Sequence, residues 1–204
     1  GTLLDGSPSN VPEDAAARWQ NLLEEVRQRF GGQVLWAHPY KDTLPPAPSF
    51  ADRFDAFYIL WSAPLAADSA AVGDMLTEAG RRLDSDILPM LQTANKPAVI
   101  AIDYPSAQGA AAGCVPAGGG GCLDWSALAR PYPDVQSANL DLNVQVDLYQ
   151  AVLQAINQRD WVAGFVSRGY YPAVSLMDKS SSVRGKMAAD LLWYWLPRFT
   201  GAVR

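Results

Sequence analysis

The stretch from Asn95 to Ser106 constrains this chain most. Its centre, Ala98-Val99-Ile100-Ala101-Ile102, is opened by Lys96-Pro97 and closed by Asp103-Tyr104-Pro105. An apolar run that short, without polar alternation, predicts a strand buried on both faces. Such strands belong to parallel sheets covered by helices. In sheets of that kind the chemistry gathers where strands end, so Asp103 becomes the first residue to watch.

Three further segments read the same way: 33–38, 54–61 and 161–167. Helical periodicity separates them. Trp19, Leu22, Leu23, Val26 and Phe30 recur at helical spacing behind a candidate cap at Asn10, and Gly31-Gly32 stops that helix. A helical region spans about 69–93, with a break expected near 84–86. Another covers 140–158, and Met187 to Leu196 closes the series. Leu3-Leu4 before Asp5-Gly6-Ser7-Pro8 reads as the tail of one more strand. Four apolar strands alternating with helices predict an α/β architecture with a parallel sheet, which a doubly wound sheet or a (β/α) barrel would satisfy equally. No glycine fingerprint for a nucleotide follows any strand.

Composition narrows the function classes. With 204 residues, 49% hydrophobic and 18% charged, the chain has enough material for one core. A net charge of -5 without a basic stripe argues against nucleic acid as partner. No apolar run approaches the ~20 residues of a membrane span. The two cysteines, Cys114 and Cys122, lie in one glycine-rich loop, and with a single histidine they build neither a zinc site nor a redox pair. No metal and no cofactor is expected. A disulfide closing that loop is the preferred reading and implies an oxidising, extracellular or cell-surface location; two free thiols in a reduced compartment are the alternative. The chain opens on Gly1 rather than Met and reads as processed or truncated.

In order, the helix Trp19-x-x-Leu22-Leu23-Glu24-Glu25-Val26-Arg27, the strands QVLWAHPY, FDAFYILWSAPL and KPAVIAIDYPS, the helix VDLYQAVLQAI, the strand WVAGFVSRGYYP and the closing SVRGKMAADLLWYW resemble the C-terminal half of glycoside hydrolase family 113. Arg184-Gly185-Lys186 and Lys96-Pro97 carry much of the likeness. The resemblance implies a parallel (β/α) TIM-barrel type fold, here a partial barrel of strands five to eight, with residues 1–204 forming a single segment of it. It also implies a retaining mechanism on β-linked, mannan-type polysaccharide, run by two carboxylates about 5–5.5 Å apart.

The family's two glutamates would fall near Leu3 and Ile102, so neither is retained, and Asp5 and Asp103 are the nearest carboxylates. Asp103 is the candidate nucleophile and Asp5 the candidate acid/base. Strand alternation is the obstacle, because a shift of one residue normally turns a side chain to the opposite face. His38, Tyr40, Trp61, Tyr104, Arg168, Tyr170 and Tyr171 end the strands and are the candidate sugar-binding groups. A non-catalytic carbohydrate-binding or structural surface protein that kept the fold is the alternative. Half a barrel leaves two open edges, so a missing N-terminal half or another chain is expected to complete it.

Overall fold

The structure is a computed structural model that describes residues 12–67, 70–131, 135–171, 175 and 177–202. Four strands, β1 (Leu35–Tyr40), β2 (Ala56–Trp61), β3 (Ala98–Ile102) and β4 (Val162–Ser167), form one sheet in the order β1-β2-β3-β4. Every pairing is parallel. Helices α1 (Ala15–Arg29), α2 (Val72–Arg82), α3 (Leu88–Ala94), α4 (Leu142–Asn157) and α5 (Met187–Phe199) make up the rest of the regular structure.

The periodicity of the sequence explains which face is covered. Register places Trp61 beside both Tyr40 and Ile102, Ile59 beside His38 and Ile100, and Ile102 beside Ser167. These residues share one parity and face the helices. Tyr149 of α4 donates to the carbonyl of Ile102 and sits 2.9 Å from the Ser167 hydroxyl. Phe199 of α5 packs on Phe165 at a 4.9 Å centroid distance, and Trp19 of α1 packs edge-on against Trp36, also at 4.9 Å. Phe57, Ile59, Trp61, Ile100 and Ile102 are fully buried there.

The opposite parity carries Tyr58, Leu60, Val99 and Val166, and no helix among the described residues covers it. Tyr58, Leu60 and Val99 are half-buried, and Val166 is 39% exposed. Ala101, flanked in register by Leu60 and Val166, is small enough to be buried between them.

Two local features refine the sequence reading. The break expected near 84–86 is a π-helical turn, Leu83–Ile87, within an otherwise continuous helical run from α2 to α3. The widened turn keeps Leu83 and Ile87 in the core, while Asp84 pairs with Arg159 at 2.6 Å beyond the end of α4. Helix α4 is capped by Asp141, whose carboxylate accepts from the backbone N–H groups of Asn143 and Val144. The final helix runs three residues past the expected end, to Phe199, and contains Pro197. Asn10, proposed as the cap of the first helix, lies outside the described residues, as does the strand tail at Leu3-Leu4.

Candidate functional site

All four strands point their C-terminal ends the same way, so the loops that follow them meet at one end of the sheet. There a hollow of about 430 Å3 opens, lined by residues including Pro39, Lys41, Leu60, Asp103, Trp125 and Arg168. Asp103 continues the parity of Ala101 rather than that of Ile102, and it therefore stands on the uncovered side. Arg168, just past β4, donates to its carboxylate at 2.6 Å. Asp103 is the more sheltered partner, its side chain 16% exposed against 45% for Arg168. Tyr58, in register with Val99 two steps down the same face, has its phenol pushed up by burial, with Arg168 opposing and Asp103 adding.

Past the strand tips, a buried polar knot ties together the segments that follow β3 and β4. The Lys186 ammonium donates to Ser106 Oγ at 2.8 Å and to the Ser180 carbonyl at 2.7 Å, and pairs with Asp178 at 3.1 Å. Ser106 Oγ in turn donates to the Asp178 carbonyl. Gln145, fully buried on α4, donates to the Tyr104 carbonyl at 2.8 Å. Burial holds the Lys186 ammonium below the ordinary lysine range, and the Asp178 carboxylate works against that shift. With its neighbours so arranged, this lysine closes the segment between β4 and α5 onto the chain just after Asp103.

The strand-end residues expected to meet a sugar divide by parity. His38, Tyr40, Trp61 and Tyr104 are all buried, Tyr40, Trp61 and Tyr104 fully so, and of the four Tyr40 is among the residues that line the hollow. His38 Nε2 donates to the Pro45 carbonyl at 2.9 Å, and burial lowers the imidazole's pKa. Tyr40 donates to Asp86 at the π-helical turn and accepts from Arg82; burial first, then the Asp86 contact, pushes its phenol up to about 12. Tyr104 donates to the Ala63 carbonyl at 2.5 Å.

Asp103 and Arg168 come together as described. Tyr170 is 70% exposed, with the Arg184 guanidinium 5.5 Å from its ring centroid, and Tyr171 is half-buried beside it. Asp5 lies outside the described residues. Cys114 and Cys122 form a disulfide with a Cα separation of 4.9 Å. No cluster of three potential metal ligands occurs among the described residues.

Sequence reasoning missed Lys41, Asp124 and Trp125 as parts of the hollow. Asp124-Trp125-Ser126 had a readable signal, because an aspartate two residues before a serine is a common turn-forming pattern. Here the Asp124 carboxylate accepts from the Ser126 N–H at 2.8 Å and opens the 3₁₀ turn Trp125–Leu128. Contacts with Ser126 hold that carboxyl below its usual range, and Lys41 across the hollow adds to the effect.

A parallel sheet with its strand tips converging on one hollow has close structural counterparts. A solved glycoside hydrolase family 113 (GH113) β-1,4-mannanase superposes with a TM-score of 0.61 at 20% identity, covering 90% of this chain and 51% of its own. This chain has a partial GH113-like barrel fold. The GH113 β-mannanase of Alicyclobacillus acidocaldarius, solved in complex with ManMIm, gives a TM-score of 0.59 at 17% identity, over 92% of this chain and 51% of its own. A β-D-glucuronidase of Dictyoglomus thermophilum gives 0.53 at 12% identity, over 92% and 30%. The chain thus spans about half the length of the mannanases it matches. No family profile and no curated protein sequence matches it. At these identities the likeness is one of fold, and the partial GH113-like barrel is what the structure and the comparisons share.

Proposed function

We propose that the hollow at the strand tips is a binding site for β-linked, mannan-type oligosaccharide, and that residues 1–204 are one segment of a larger carbohydrate-active barrel. The observation that carries this is the placement of Asp103. Its carboxylate stands on the uncovered face, beside a guanidinium and an indole, where hydroxyls and the apolar face of a pyranose could be met together. A carboxylate accepting sugar hydroxyls contributes about 1.5–3 kcal/mol. Replacing it with an amide therefore costs roughly tenfold or more in affinity. The test is calorimetric titration of the full chain and its Asp103→Asn variant with β-1,4-mannohexaose; equal affinities would remove Asp103 from the site.

The same parity favours a second reading, hydrolysis. Asp103 would attack the anomeric carbon to give a glycosyl-enzyme intermediate, while Asp5 would protonate the departing glycosidic oxygen and then activate water. Release of reducing ends by the wild type, lost in both Asp103→Asn and Asp5→Asn, is the expected result. Binding without release would leave the non-catalytic carbohydrate-binding protein. The open edges of β1 and β4 and the uncovered face support closure of the barrel by further strands of a longer polypeptide. The disulfide supports an extracellular or cell-surface setting.

A further inference from the structure

The long connection between β3 and α4 is built to hold one side chain. It turns back at Gly109, where φ is +94° and a Cβ would lie 2.1 Å from the Cys114 carbonyl oxygen. The Cys114 N–H donates to the Gly109 carbonyl at 3.0 Å. The disulfide then closes the glycine run, Leu123 N–H donates to Val115 at 2.8 Å, and Val115 itself is buried. Three residues after Trp125, Leu128 is buried and its carbonyl accepts from Ser181 at 2.8 Å. Trp125 is thus pinned from both sides. Its ring meets Tyr104 nearly edge-on at 6.1 Å, and the residue lines the hollow that Asp103, Arg168 and Lys41 also line.

We infer that Trp125 is the platform on which a pyranose ring stacks in this hollow, and that the loop closed by Cys114–Cys122 holds the platform in place. The inference rests on the carbohydrate reading of the hollow and adds to it the residue that contributes apolar contact. A half-buried indole among charged side chains suits a ring whose C–H face is apolar and whose edge is hydroxylated. Trp193 makes the contrast. It is 77% exposed on α5, on the flank of the helical layer rather than at the strand tips.

The experiment is titration of the full chain with β-1,4-mannohexaose, alongside Trp125→Ala, Trp125→Phe and Cys114→Ser/Cys122→Ser variants. Expected are a loss of about tenfold or more for Trp125→Ala, near-retention for Trp125→Phe, and a loss of intermediate size for the double serine variant. In protein labelled with 5-fluorotryptophan, the fluorine resonance assigned by Trp125→Phe should broaden or shift when the disulfide is removed. Wild-type affinity in Trp125→Ala, with Asp103→Asn still weakened, overturns the platform and leaves the site standing. No binding by the wild type overturns both. An unchanged fluorine resonance in the double serine variant overturns the role of the loop. Should Trp125→Ala fail to fold, Trp125→Phe decides: a loss as large as tenfold there overturns stacking on a generic aromatic face.

Discussion

The two faces of the sheet share their backbone and differ in almost everything else. On the helix side, Phe57, Ile59, Trp61, Ile100 and Ile102 are sealed and the polar atoms of neighbouring tyrosines are bonded. On the other side, Tyr58, Leu60, Val99 and Val166 remain partly open to solvent along a sheet whose strands are all parallel. Parallel sheets rarely leave a face uncovered, because crossover helices and neighbouring strands normally enclose both. The difference shows where stability and chemistry have been separated. Core packing sits on one parity, while the ion pair and the hollow sit at the tip of the other.

The largest expected effect breaks that comparison directly. Trp61→Ala empties a fully buried site and should cost about 3–5 kcal/mol. Leu60→Ala, its neighbour of opposite parity, loses only half-buried contact and should cost about 1 kcal/mol. Urea unfolding of the two variants measures both. Equal losses would mean that the second face is as well packed in solution as the first.

A smaller effect concerns acid. The Asp84 carboxyl is held below its ordinary value of 3.8, first by its bond to Arg159, and that pair joins the π-helical turn to the chain just beyond α4. A depressed folded pKa means that the unfolded chain binds the proton more readily. The stabilisation is therefore present above about pH 4 and is lost as pH falls through the folded value. Asp84 is about half exposed, so solvent screening keeps the contribution within about 1 kcal/mol. Melting curves between pH 6 and pH 2 should fall less steeply for Asp84→Asn than for the wild type. Identical slopes would show that the pair adds nothing to the helical side.

Much of this contrast was legible in the residues, and its gaps have physical causes. Four short apolar runs between helical periods were enough for a parallel sheet, and the strand at Val99-Ile100 was placed within a residue. Parity at the strand ends was not legible. An apolar run buried on one face and half-open on the other looks the same as one buried on both, so the sequence does not show that His38, Tyr40, Trp61 and Tyr104 are buried, nor that Tyr40 still borders the hollow. The same ambiguity hid the better news for Asp103. Counting from Ile102 suggested that a shift of one residue would turn a carboxylate away, whereas Ile102 faces the helices and Asp103 faces the hollow. Trp125 and Lys41 were out of reach because a long loop has no period from which its direction can be counted.

The smallest expected effect is the sharpest test of the open face. Val166 is 39% exposed at the edge of the sheet, with Ala101 as its register partner. In Val166→Lys the methylene stem can lie along the sheet while the ammonium reaches water, so the change should stay within about 0.5 kcal/mol for the chain by itself. If a second copy closes over this face in solution, the same lysine would be buried without a partner. Stability would then fall by several kcal/mol and the molecular mass by light scattering would drop from dimer to monomer. A near-neutral substitution on a monomeric protein keeps the two faces distinct, one sealed by helices and one open to solvent.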